Sequence, residues 1–207
     1  WNMVITHQQF SYKDQIVIEK LVVKTPMIES PVFQNEACFL YFKSGEALLT
    51  SSTETAVVQP EEGVLLKCGN YFGDIIQRSP SGISEVFVVH LFPEMLKEIY
   101  KEEIPSFIKR NPDKNRITPI TNKSLLKHFI DSLSFYFENR SLFTHELLQL
   151  KIKELILLLL QTSSGNTVQD LFASLFTPRK STLLEVVDAH LYSSLALEQL
   201  AVLTGQS

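Results

Sequence analysis

The apolar residues of this chain change period at Pro93, and that switch limits the fold more than any other feature. Before it, β-branched and aromatic residues come in short runs with period-two alternation. After it, they recur at three- and four-residue spacing. Runs of strands followed by runs of helices predict an α+β chain, with the strands forming one antiparallel body and the helices packing on it. "IVIEKLVVK" (Ile16–Lys24) is the first strand candidate. "ACFLYFKSGEALLT" (Ala37–Thr50) reads as two strands joined at Ser44-Gly45, where Gly45 can take a positive φ. "TAVVQPEEGVLLKCGNYFGDII" (Thr55–Ile76) carries two more strands around Pro60-Glu61-Glu62-Gly63, with Pro and Gly supplying the turn dihedrals and Gly69-Asn70 marking the next break. "SEVFVVHLF" (Ser84–Phe92) is a further strand. Short strands between closely spaced turn signals predict an antiparallel barrel or sandwich.

Pro93 suits a first helical position, and Glu94 beside it favours the helix dipole. "RNPDKNRITPI" (Arg110–Ile120) reads as a polar loop, and from Thr121 onward the spacing predicts helices only. Leu126, Phe129, Ile130, Leu133 and Phe137 share one helix face. In Thr144–Thr162 a second stripe comprises Leu148, Ile152, Leu155 and Leu159. The later half of that helix is apolar nearly all round, so it needs partners on more than one side. One partner is expected within the chain; the other is either the same helix of a second copy, in a two-fold contact, or a further part of the same chain. If it is a second copy, Leu155→Asp leaves the fold mostly intact and yields a monomer. Thr167 is placed to cap "VQDLFASLF", and Thr182 with Glu185 to form a capping box for "LLEVVDAHLY". A last helix is expected from Leu195 to Thr204.

The formal net charge of −4 lacks the basic surplus that phosphate neutralisation demands, so nucleic acid is not the main partner of these 207 residues. Cys38 and Cys68 are too few for a disulfide framework and read as reduced core thiols. No signal peptide opens the chain, and its longest apolar run, Leu155–Leu160, is far short of the ~20 residues that span a bilayer; the expectation is a cytoplasmic protein with no membrane partner. The histidines His7, His90, His128, His145 and His190 are scattered, with no pair at metal-ligand spacing. Glu61-Glu62 on a tight turn reads as solvated, and no nucleophile elbow or phosphate loop is present. The chain is therefore expected to hold no cofactor and to catalyse nothing. Phe39, Tyr41, Phe72 and Phe87 are the candidates to line a ligand pocket inside the strands. Few polar residues accompany them, which favours a protein signal over a sugar or an acid.

The final residues, "LALEQLAVLTGQS", look like the opening of a helix-turn-helix. Leu197, Leu200 and Leu203 would form the buried face, Ala201 the close helix crossing, Gly205 the turn, and Ser207 the cap of a following reader helix. With Tyr192 ahead of Leu195–Ala201 and then Gly205 and Ser207, the stretch resembles the start of the DNA-binding domain of AraC/XylS transcriptional regulators. "CFLYFKSGEALLT" and "VVQPEEGVLLKCGNY" resemble that family's cupin-type regulatory domain, and "LKIKELILLLL" resembles the helix closing it in activators of type III secretion. The resemblance implies a cupin-like regulatory domain (1–120), a helical dimerisation region (121–166), a linker with a short helix (167–181) and the truncated beginning of a DNA-binding domain (182–207). It implies a homodimer that senses a small molecule or partner protein and binds DNA through a C-terminal part largely missing from these residues. The metal-binding cupins carry His-x-His after a glycine, whereas "EALLTSS" follows Gly45, so the usual metal is not expected. Two alternatives stand beside this reading. A cyclic-nucleotide-type β-roll regulator needs a phosphate cassette that the strand turns lack, and a non-catalytic cupin-like binding module needs the tail to match by chance.

Overall fold

A computed structural model of the chain describes residues 3–33, 36–67, 69–76, 81–100, 116–162, 165–175, 183–191, 193 and 195–204. Its strands are β1 (Val4–Tyr12), β2 (Gln15–Lys24), β3 (Met27–Glu29), β4 (Val32–Phe33), β5 (Ala37–Phe42), β6 (Glu46–Thr50), β7 (Thr55–Val58), β8 (Glu62–Leu66), β9 (Gly69–Asn70), β10 (Phe72–Ile76), β11 (Ile83–Leu91) and β12 (Ile117–Ile120). Its helices are α1 (Pro93–Ile99), α2 (Lys123–Glu138), α3 (His145–Leu160), α4 (Gly165–Leu175), α5 (Leu183–His190) and α6 (Leu197–Thr204). The α+β expectation holds: an antiparallel sheet body comes first and helices follow.

The strands divide into a six-stranded sheet ordered β1-β2-β11-β5-β8-β12, a four-stranded sheet ordered β3-β10-β6-β7, and the short ladder β4-β9. The central strands of the large sheet are covered on both faces. In β5, Ala37, Phe39 and Tyr41 face one core while Cys38, Leu40 and Phe42 face another. In β11, Phe87, Val89 and Leu91 alternate in the same way with Val86 and Val88. One core lies between the large sheet and α2, α3 and α4; the other lies between the two sheets. This explains why β5 reads as an unbroken apolar run, since every residue from Ala37 to Phe42 is buried.

Local chemistry differs from the sequence reading at several points. β5 and β6 flank Gly45, which has φ +86°, but they belong to different sheets, so the turn is a corner rather than a hairpin. The same holds for β7 and β8, where the positive φ falls on Glu61. Gly63 sits inside β8, where a Cβ would lie 2.6 Å from the Phe39 ring; its role is close packing. The expected polar loop 110–120 ends in a strand, because β12 pairs with β8 along Ile117–Ile120. Pro119 is tolerated there since β12 is an edge strand. β1 went unpredicted. It pairs with β2 across Lys13-Asp14, both at positive φ, a turn without the usual glycine.

The helix starts follow capping chemistry. The Asn122 side chain accepts from the Leu125 amide, and the Thr144 side chain from the Leu147 amide. α4 begins at Gly165, ahead of Thr167, so Thr167 lies within the helix rather than capping it. α6 begins at Leu197, and the Gln199 Oε1 accepts from the Ala196 amide at 2.7 Å. Cys38 is a free, buried thiol; Cys68, Thr182, Tyr192, Gly205 and Ser207 lie outside the described residues.

Candidate functional site

The four aromatic pocket candidates do not converge. Phe39, Tyr41 and Phe87 point into the core shared with the helices, away from the space between the sheets. Phe72 is part-buried on β10 of the other sheet. Burial, together with Glu61 and Asp131, pushes the Tyr41 hydroxyl up to about 12. Strand parity decides the outcome: one residue of register separates Phe39 and Tyr41 from Leu40 and Phe42, which do face the inter-sheet core.

The stripe expected to meet a second copy is the inner face of α3. Leu148, Ile152, Leu155 and Leu159 are all buried within one chain, against α2, α4 and the sheet. Leu155→Asp would therefore place a carboxylate in the core and unfold the domain. The face that α3 leaves outside carries Leu150, 61% exposed, and Leu157, 48% exposed, seven residues apart on one line.

Sequence spacing also missed a polar cluster. His90 of β11 lies between two carboxylates: Nδ1 is 2.7 Å from Glu36 Oε2 and Nε2 is 2.8 Å from Glu19 Oε1. His7 of β1 binds the other oxygen of Glu19 through Nε2. Burial alone would lower the His90 pKa, but the two carboxylates more than offset it and lift the imidazolium to about 9. Glu19 is held below the usual carboxylate range: burial opposes this, and His90 and His7 outweigh it. The ring of Phe92 stacks on His90 at 6.0 Å. These groups are spent on one another, and among the described residues no group of histidines, cysteines and carboxylates suits a metal ion. The sequence offers His90 on an apolar strand, which reads as a satisfied core or rim histidine, and Glu19 inside another, but nothing to join them.

The C-terminal helices rest on the edge of the sheets. His190, the last residue of α5, is buried, and its Nε2 donates to the Ser51 carbonyl at 2.6 Å. Ser51 opens the β6–β7 turn, which is closed by the Ser51 amide donating to the Glu54 carbonyl at 2.8 Å. Glu54 Oε1 then accepts from the backbone amides of Arg116 and, at 2.8 Å, Ile117. The Arg116 guanidinium lies over Gly69 of β9, and α6 packs against β9 and β10. Of the expected helix-turn-helix face, Leu200 and Ala201 are half-buried and Leu197 is 80% exposed; Leu203 is the buried leucine of α6. Among the described residues no helix is long and apolar enough to cross a membrane.

Residues 37–171 match the family model described as the ExsA N-terminal regulatory domain. Among solved structures, ToxT from Vibrio cholerae bound to (E)-4-(8-methylnaphthalen-1-yl)but-3-enoic acid superposes with a TM-score of 0.52 at 9% identity, covering 89% of this chain and 70% of that one. Wild-type ToxT from Vibrio cholerae bound to an unsaturated fatty acid gives a TM-score of 0.50 at 10% identity, with 92% and 74% covered. The AraC-like transcriptional activator CuxR gives 0.45 at 14% identity, with 92% and 67% covered. No curated protein sequence matches the chain.

Proposed function

The chain belongs to the family of ExsA N-terminal regulatory domains of AraC-type transcriptional regulators, and from that premise we propose that it is the sensing and dimerising portion of a one-component regulator. The family establishes a regulatory domain. Dimerisation, sensing and control of a DNA-binding module are the proposal. The observation that carries it is the order of parts along one chain: a two-sheet body, a helix pair closing it, then two short helices, α5 and α6, seated on the sheet edge. In this reading α5 and α6 open the first helix-turn-helix, with 1–120 as the sheet body and 182–207 as the start of the DNA-binding part. α4, packed into the core through Val168, Phe172 and Leu175, goes with the helical region that was expected to end at 166 rather than with a linker over 167–181. No reaction is assigned to the chain.

The dimer contact proposed is the outer line Leu150–Leu157 of α3, since the inner stripe is already occupied. Two helix-turn-helix modules held together gain effective concentration at paired half-sites. The signal proposed is a partner protein, because Phe39, Tyr41 and Phe87 are committed to core packing. The ToxT structures favour a second reading, an apolar carboxylate effector. A thermal shift of this chain with an unsaturated fatty acid would move the proposal to that class.

Crosslinking of the full-length protein to chromosomal DNA in its host tests the reading. Occupancy of discrete promoter sites, diminished by Leu157→Asp, is the expected result. A protein with no site-specific occupancy is not a regulator of this kind.

A further inference from the structure

Resting on the reading of α5 and α6 as the start of a DNA-binding module, we propose that the His190–Ser51 hydrogen bond is a latch that holds this module on its own regulatory body. The bond joins the end of α5 to a turn 139 residues earlier in the chain, and both partners are buried. The turn itself is stiff. Ser51 Oγ accepts from the Glu54 amide at 3.1 Å, and the Glu54 carboxylate anchors the turn to the backbone of Arg116 and Ile117. Arg116 in turn covers Gly69 of β9, the strand that α6 touches. α5 and α6 are therefore tied to one connected set of groups at the sheet edge, α5 through His190 and α6 through β9.

Among the described side chains of 186–204, Val186 and Leu203 are buried, Val187, Leu200, Ala201 and Val202 are half-buried, and Leu191 and Leu197 are exposed. An element held largely through half-buried side chains opens more cheaply than the core, so one buried hydrogen bond is an appreciable share of what keeps it closed. Stripping a buried carbonyl of its donor shifts such an equilibrium by about tenfold or more. The regulatory body thus sets the freedom of the module through the β6–β7 turn, and in this proposal release of the seam is what frees the module for DNA.

Amide hydrogen exchange on the 207-residue chain tests this, with His190→Ala and His190→Gln. The Gln side chain keeps an N–H donor for the Ser51 carbonyl. In H190A, protection across 186–204 falls roughly tenfold while β5, β8 and β11 keep theirs, and in H190Q it is restored. Unchanged protection in H190A overturns the latch. So does loss of protection throughout the strands, which would make His190 an ordinary part of one cooperative core. In full-length protein H190A raises promoter affinity by a similar factor and H190Q does not; affinity that stays equal or falls removes the regulatory role. The exchange arm uses no DNA, so a full-length protein without promoter sites would end the reading of α5 and α6 and leave the seam to be judged on exchange alone.

Discussion

α3 and α6 are both leucine-rich helices, and they are treated in opposite ways. α3 buries Leu148, Ile152, Leu155, Ile156 and Leu159 between the large sheet and two other helices. α6 buries Leu203 and leaves Leu197 80% exposed. Apolar content is thus a poor guide to what a helix contributes. α3 is a structural wall of the regulatory body, whereas α6 holds to that body through a narrow seam and keeps apolar surface outside it.

The largest expected effect comes from the wall. Leu155→Ala removes a fully buried side chain and lowers unfolding stability by about 3–5 kcal/mol, measured as a shift in the urea midpoint. Next comes the charge clamp on the strands. The folded His90 pKa, about 9, lies above its ordinary 6.5, so its stabilisation is complete below that ordinary value and is lost as pH rises through about 9. Stability of the body should fall by on the order of 3 kcal/mol between pH 7 and 10, and His90→Ala should flatten the pH profile. Gly63→Ala pushes a methyl at the Phe39 ring and costs about 1–3 kcal/mol in the same assay. The smallest effect belongs to α6: Leu197→Ala changes stability by less than about 0.5 kcal/mol. A Leu197 effect as large as that of Leu155 would erase the contrast between the two helices.

Much of the frame was readable from the sequence because local periodicity and turn chemistry agree with the fold. The face Leu126, Phe129, Ile130, Leu133 and Phe137 is the buried face of α2, and Pro93 starts α1 as expected. What alternation cannot reveal is which of two buried faces a strand residue occupies, and Phe39 and Tyr41 fell on the helix side for that reason. An all-round apolar helix likewise leaves open whether its partners lie in the same chain. The inner stripe of α3 is met by the sheet and α4, so its outer line had to be found from exposure. β1 was missed because "VITHQQFSY" is largely polar and its turn lacks glycine. The His90 cluster draws on positions 7, 19, 36 and 90, which only the sheet topology brings together.

The dimer contact depends on which side of α3 is free for a second copy. Sedimentation equilibrium of the wild-type chain, Leu157→Asp and Leu150→Asp decides it, with thermal melts run alongside. A wild-type dimer that becomes monomeric in both variants, with melting temperatures little changed, is the predicted result. A monomeric wild type, or variants that remain dimeric, would contradict it.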